Sequence, residues 1–229
     1  IGLYALIAAL LVRQPDMGQT LLLTAVWGAL FFLSGKPVKW MLVLLAAVVA
    51  GIAAAYSLVP HFRARFLLFF NPDPGGYSQV TRARQSFEQG GWFGRGLGEG
   101  TIKTSFPDAH TDFIFSVVAE EYGIIACLLL VGLVAFIVLK VFQRGLAEPD
   151  PFIRYASIGL AVLVGLQALI NMGVNVGLLP AKGMTLPFIS YGGSSTVGTS
   201  IALGFLIALT RRRTDQARGG AAFRPGRQM

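Results

Sequence analysis

Residues 113–139 read FIFSVVAEEYGIIACLLLVGLVAFIVL, and beyond Glu121 this stretch carries no charged residue. A helix needs about 20 predominantly apolar residues to cross a bilayer, so the run predicts a membrane-spanning helix. Four further apolar runs flank it, at roughly 19–34, 38–59, 153–173 and 194–210. Each is long enough to cross, or nearly so with its flanking residues. Ile1 to Val12 is apolar but too short to cross. It has no basic region before it and no initiator Met, so it is not read as a secretory leader, and the chain is expected to be truncated at its N-terminus.

Composition agrees with a lipid setting. Of 229 residues, 54% are hydrophobic and 13% charged, where soluble domains carry about 25% charged residues; the mean hydropathy is +0.64. The expected fold class is therefore all-α, a polytopic transmembrane helix bundle. Its connections are short except one, a large loop over about 60–112 between the third and fourth helices of the fragment. The lone Cys127 lies inside an apolar run, allows no intramolecular disulfide and reads as a small core residue.

The net charge of +8 is uneven. Residues 211–229 hold Arg211, Arg212, Arg213, Arg218, Arg224 and Arg227 against Asp215 alone. Beside a membrane helix such a basic tail marks the cytoplasmic side more simply than it marks nucleic acid, and its Arg/Gly/Ala-rich composition predicts disorder. Lys36 and Lys39 lie in one short loop, and Lys140, Arg144 and Arg154 in another. Alternating passes put both loops and the tail on one face, as the positive-inside rule asks. Residues 60–112 then fall outside. They carry Arg63, Arg65, Arg82, Arg84, Arg95 and Lys103, which fit either a solvated surface or a site for an anionic, phosphate-bearing lipid.

Within that loop, His61 to Phe70 mixes cations with aromatic and aliphatic side chains. It predicts a short amphipathic element in the headgroup zone. Asn71-Pro72-Asp73-Pro74-Gly75-Gly76 is a turn signal. Gly90-Gly91-Trp92-Phe93-Gly94-Arg95-Gly96-Leu97-Gly98 is too rich in glycine for regular helix.

His110-Thr111-Asp112 stands where the loop enters the 113–139 helix. Thr111 or Asp112 could cap that helix. A carboxylate at the membrane surface could equally accept a proton from a sugar hydroxyl, and the two roles are compatible because a helix N-terminus favours the ionised form. Glu120 and Glu121 are costly inside a membrane segment and read either as structurally paired or as facing a cavity. At about 100° per residue they cannot both share the face of Asp112; Glu120 comes nearer.

Gln167, Asn171 and Asn175 recur every four residues, one stripe on the 153–173 helix, where interhelical hydrogen bonding is the favoured role. The connection Gly177 to Pro187 holds Pro180, Lys182 and Pro187. It is short and apolar enough to re-enter the bundle. Ser190-Tyr191-Gly192-Gly193-Ser194-Ser195 opens the last helix as an anion nest or as a close-packing segment. No GxxxxGK[ST] loop, His/Cys cluster or GxSxG elbow occurs, so nothing points to ATP or a protein-bound zinc.

His110-Thr111-Asp112-Phe113-Ile114-Phe115 with Ala119-Glu120-Glu121-Tyr122-Gly123 closely resembles the SEDS family (shape, elongation, division and sporulation). Leu179-Pro180-Ala181-Lys182-Gly183-Met184-Thr185-Leu186-Pro187-Phe188-Ile189-Ser190-Tyr191-Gly192-Gly193-Ser194-Ser195 is the second match. Gln14-Pro15-Asp16-Met17-Gly18 and Gly94-Arg95-Gly96-Leu97-Gly98 are weaker ones. Together they span nearly the whole chain in the family's order, and Lys-Gly-Met-Thr-Leu-Pro looks more like the division branch than the elongation branch. The resemblance implies that 1–210 is the C-terminal part of a larger membrane domain. Some relatives carry an acid where this chain has Thr104.

The resemblance further implies a peptidoglycan glycosyltransferase that polymerises lipid II at the outer face of the bacterial cytoplasmic membrane. Asp112 would deprotonate the 4-hydroxyl of an acceptor N-acetylglucosamine, whose oxygen attacks the anomeric carbon of the donor N-acetylmuramic acid. Undecaprenyl diphosphate would leave with inversion. Arg63, Arg65, Lys103 and Lys182, with His110, Ser194 and Ser195, are the candidate substrate-binding residues. Glu120, Glu121, Gln167, Asn171 and Asn175 are the candidate cavity-lining polar residues. A divalent cation, magnesium or manganese, could assist at the diphosphate, with no ligands identified. The implied partners are a class B penicillin-binding protein transpeptidase, other cell-division proteins and membrane lipids, with no nucleic acid. Two rival readings are a lipid II flippase using Glu120 and Glu121 and a membrane scaffold of the division machinery.

Overall fold

The computed structural model describes residues 2–14, 16–35, 37–58, 60, 63, 64, 67, 79–105, 109–180 and 183–211. Among these residues the regular structure is helical and includes no strand. In chain order the helices are α1 (Gly2–Arg13), α2 (Met17–Leu33), α3 (Val38–Leu58), α4 (Gln79–Gly90), α5 (Ile114–Ala147), α6 (Pro151–Asn175) and α7 (Gly193–Thr210). A short 3-10 turn, Ile102–Ser105, lies between α4 and α5. Helices α5, α6 and α7 are long and apolar enough to cross a membrane, and the chain is a multi-pass membrane protein. The basic tail beyond Arg211, the turn at 71–76 and most of the predicted amphipathic element at 61–70 lie outside the described residues.

The bundle is built around α6, against which α2, α4, α5 and α7 all pack. Its sequence explains this position. Asp150 caps the helix by accepting the Phe152 N–H at 2.8 Å, and Pro151 occupies the first turn, where its missing N–H costs nothing. Small residues Ser157, Gly159, Ala161, Gly165 and Ala168 are buried along it, and small side chains let membrane helices approach closely. The outer faces of α1, α3, α5 and α7 expose Leu, Val, Ile and Phe, as surfaces meant for lipid do.

Residues 79–105 are built into the bundle rather than draped over it. Helix α4 turns Ala83, Ser86 and Gly90 inward. Ala83, Ile102, Ala109, Phe113, Val117 and Val174 form one buried cluster. Phe115, Ala119, Cys127, Ala168, Met172 and Leu186 form a second, on which Phe87 packs. The long connection thus supplies part of the core beneath the N-terminal end of α5.

Helix α5 is two helices, not one. Gly123 interrupts it with φ 80° and ψ 179°, a backbone region essentially confined to glycine. In an unbroken helix the Ile124 and Ile125 N–H groups would donate to the carbonyls of Glu120 and Glu121. Here they donate instead to Gly91 O (2.9 Å) and Trp92 O (3.3 Å), while Arg95 N–H and Gly96 N–H take up Glu120 O (2.9 Å) and Glu121 O (3.1 Å). The glycine-rich loop is spliced into the break and replaces each bond the break removes. From Ile124 to Ala147 the helix still runs about 35 Å, enough for the ~30 Å hydrocarbon core. Glu120 and Glu121 therefore stand on the broken end of α5, not within its apolar crossing run, which corrects their placement inside a continuous membrane helix.

Candidate functional site

The motif His110-Thr111-Asp112 sits at the entry to α5, and α6 holds it there. Asn171 donates its side-chain N–H groups to Asp112 O (2.9 Å) and Met184 O (2.6 Å). Asn175, one turn further, donates to Asp112 O (2.9 Å) and Asn171 O (2.8 Å). Its Oδ1 accepts from the Ser116 N–H (3.0 Å) and the Ser116 hydroxyl (2.7 Å). Asn171, Asn175 and Ser116 are all buried, and in an apolar interior an unpaired amide would be costly. Asn175 has its hydrogen-bonding capacity filled, and Asn171 uses both donors while its Oδ1 accepts from Asn175 at 3.4 Å.

This arrangement corrects the capping assignment. The N-cap position of α5 is Phe113, not Thr111 or Asp112. In the first turn of the helix, where N–H groups lack regular partners, the Ser116 N–H is shared between Phe113 O (3.0 Å) and Asn175 Oδ1 (3.0 Å) from α6. With its backbone carbonyl clamped by two amides, Asp112 is anchored through the main chain. Its side chain is partly exposed.

The second motif closes over the first. A Cβ placed on Gly183 would lie 3.5 Å from Asp112 Oδ2, so the chain passes beside the carboxylate at Gly183. Gln167 donates to Thr185 O at 3.1 Å, Thr185 and Ser195 share a hydroxyl–hydroxyl bond, and Tyr191 N–H donates to His110 O at 2.8 Å. Ser190 Oγ accepts the Leu186 N–H at 2.7 Å. The stripe Gln167, Asn171, Asn175 is thus the seam joining α6 to both motifs. His110 and Ser194 are exposed at the surface and Ser195 is partly buried. Lys182, beside Gly183, is outside the described residues, as is Arg65.

The other candidates lie elsewhere in the network. Glu120 is fully buried, and its carboxylate accepts the backbone N–H groups of Thr101 (2.7 Å), Ile102 (2.8 Å) and Lys103 (3.2 Å). It serves as the anion at the start of the 3-10 turn, whose free N–H groups favour negative charge. Glu121 pairs with Lys103, whose ammonium also donates to Gly98 O at 3.2 Å. Lys103 thus has an anionic partner within the chain. Arg63 is exposed, with its guanidinium 5.7 Å from the centre of the Tyr56 ring. Among the described residues no group of three or more His, Cys, Asp or Glu side chains is placed to hold a metal ion.

Chemically, the site offers one partly exposed carboxylate on a rigid main-chain seat, flanked by a glycine that leaves its oxygen approachable. Hydroxyls at Thr185 and Ser195 stand on the adjoining segment. Sequence reasoning found Asp112 and the polar stripe. It missed the roles of Gly183, Met184 O and Thr185, and only the run of glycine and hydroxyl residues around them hinted at close packing.

A family model for FtsW, RodA and SpoVE, described as "Cell cycle protein", matches residues 1–215. The probable peptidoglycan glycosyltransferase FtsW of Caulobacter vibrioides is 47% identical over 225 residues, covering 98% of this chain and 58% of that protein. Its counterpart from Legionella pneumophila is 36% identical over 225 residues, covering 95% and 57%. The chain spans under three-fifths of the length of these relatives. Among solved structures, a peptidoglycan synthase complex that coordinates polymerization and crosslinking aligns with TM-score 0.71 and 32% identity, over 91% of this chain and 59% of that one. An Asp-to-Ala mutant of the rod shape determining protein RodA from Thermus thermophilus aligns with TM-score 0.60 and 29% identity, over 93% and 57%.

Proposed function

Since the chain belongs to the FtsW/RodA/SpoVE family of cell cycle proteins, we propose that it carries the active centre of a peptidoglycan glycosyltransferase that polymerises lipid II for septal synthesis during cell division. The observation that carries this reading is the seating of Asp112. Its carbonyl is held by Asn171 and Asn175 while its carboxylate faces Gly183, so a base is presented on a rigid support with room beside it. Asp112 takes the proton of the acceptor's 4-hydroxyl as the new bond forms to the anomeric carbon of the donor. The glycosidic bond to undecaprenyl diphosphate breaks, and configuration inverts.

The exposed outer helices supply an apolar surface for the polyprenyl tail. Arg63, Arg65 and Lys182 are the cations assigned to the diphosphate, whereas Lys103 is engaged by Glu121. His110, Ser194 and Ser195 are assigned to the sugars. We assign magnesium or manganese to the diphosphate of the substrate, whose oxygens are the hard ligands such ions take. A flippase would need Glu120 and Glu121 free to bind or relay, and both carboxylates are engaged.

In this reading the chain lies in the bacterial cytoplasmic membrane with residues 60–112 outside and the arginine tail in the cytoplasm, as its Lys and Arg distribution favours. The solved synthase complex couples polymerization to crosslinking, which supports a class B penicillin-binding protein as transpeptidase partner beside other division proteins. The resemblance implies that residues 1–229 alone are inactive, so the test is polymerisation of purified lipid II by the full-length protein and its Asp112→Asn variant. A positioned general base contributes about 10²–10⁴-fold, and the variant is expected to lose at least that much while keeping its fold and partner binding. Polymerisation by the variant at the unmodified rate would overturn the assignment.

A further inference from the structure

We propose that Trp92, Phe93 and Leu97 form a membrane anchor, seated in the headgroup and upper acyl region of the leaflet where the crossing part of α5 begins. The three side chains are 64%, 83% and 74% exposed, on a loop that is otherwise tightly fixed. A Cβ on Gly90 would lie 1.9 Å from Ala119 O, and one on Gly94 would lie 2.2 Å from Glu121 O. The loop backbone is pressed onto the backbone of α5, so its aromatic tip is held out by construction.

The depth of the tip follows from the spliced break. Ile124 and Ile125, the first residues of the crossing run, donate to the carbonyls of Gly91 and Trp92. Trp92 and the onset of that run therefore stand at one level, and the onset is where water gives way to acyl chain. Trp is enriched at this level because its ring is amphipathic. Arg95, exposed and bonded through its guanidinium to Thr101 Oγ1 at 3.1 Å, is placed to keep its charge among the headgroups while the apolar tip dips below.

Size argues for lipid over a protein partner. Aromatic side chains bury 150–250 Å² each, so Trp92 and Phe93 offer at most about 500 Å² and Leu97 adds less than either, short of the ~800 Å² per partner of a stable interface. The same loop holds the N-terminal half of α5, whose entry carries Asp112. An anchor here fixes the height of that half relative to the bilayer. The inference rests on the fold alone and stands apart from any assigned activity.

The experiment uses a variant in which Trp27→Phe and Trp40→Phe leave Trp92 as the chain's only tryptophan, reconstituted in phosphatidylcholine bilayers. Lipids brominated at carbons 6 and 7 are expected to lower Trp92 emission about threefold, with weaker quenching by lipids brominated at carbons 11 and 12 and little by aqueous acrylamide. Trp27 stacks on Tyr4 and Phe31, so Phe93→Cys labelled with an environment-sensitive nitrobenzoxadiazole dye gives the same reading without touching it; a blue-shifted, bromolipid-quenched signal is expected. Free acrylamide quenching with none from brominated lipid would place the tip in water and overturn the proposal. Protection from both quenchers would place it under protein and overturn it equally.

Discussion

Asn171 of α6 donates to the backbone carbonyl of Asp112 at 2.9 Å, and the same amide nitrogen donates to Met184 O at 2.6 Å. One buried side chain thereby sets the spacing between the segment that enters α5 and the segment that leads into α7. The carboxylate of Asp112 and the glycine beside it owe their proximity to this bridge rather than to contact between themselves. Side-chain identity on α6 is thus expected to govern a site that α6 does not line.

Asn175→Leu tests that dependence. Leucine keeps the branched shape of asparagine with bulkier ends but offers no hydrogen bond, so the Ser116 hydroxyl loses its acceptor, the Ser116 N–H keeps only Phe113 O, and Asp112 O loses one of two donors. A buried polar group left unsatisfied costs about 1–3 kcal/mol. We expect a loss of that order in unfolding experiments in detergent, together with at least a tenfold drop in lipid II polymerisation. Unchanged stability would show that the network carries no weight.

Gly123→Ala addresses the break in α5. The added Cβ would stand 2.3 Å from Trp92 O and 2.5 Å from Gly94 N, both backbone atoms that cannot swing aside. The φ of 80° adds about 1–3 kcal/mol of strain by itself. Severe destabilisation is expected, visible as a lowered Tm or lost expression. Gly132→Ala, further along the same helix with open space around it, should be neutral or stabilising by up to about 1 kcal/mol. Equal behaviour of the two variants would refute the spliced break.

The contrast between these glycines shows what could be read from the chain and what could not. The crossing helices were legible because apolar length is a local property: runs at 153–173 and 194–210 became α6 and α7 with small changes at their ends, and the run at 113–139 became α5, which extends eight residues further to Ala147. The break at Gly123 was not legible. An isolated glycine in an apolar run is ordinarily tolerated, and the loop that fills its bonds lies some thirty residues earlier. The spacing of Gln167, Asn171 and Asn175 marked a polar seam, but nothing in it named a backbone carbonyl as the target. Lys103 read as a cation for substrate because its partner, Glu121, is distant in sequence; Arg65 and Lys182 lie outside the described residues.

Glu120 and Glu121 should separate sharply despite being neighbours. Glu120→Gln keeps the shape but leaves one acceptor oxygen for three backbone N–H groups and removes the charge that strengthens them. Amide hydrogen exchange at Thr101, Ile102 and Lys103 is expected to quicken at least tenfold. Glu121→Gln removes a partly exposed pair with Lys103, where an exposed ion pair contributes about 0–1 kcal/mol. It should leave that exchange within about twofold of the unmodified protein.

Gly183 gives a way to separate backbone strain from crowding at the site. Its φ of 57° lies in the left-handed region, and a Cβ there would meet Asp112 Oδ2 at 3.5 Å. Gly183→Ala therefore carries about 1–2 kcal/mol of backbone cost and sets a methyl group against the carboxylate. Asparagine visits the left-handed region more readily, so Gly183→Asn should recover most of the stability while keeping bulk beside Asp112. If proximity to the carboxylate matters for chemistry, both variants polymerise lipid II at least tenfold more slowly, although only the alanine variant melts earlier. Should the asparagine variant regain full rate along with its stability, the glycine serves the turn alone and the space beside Asp112 is not where substrate lies.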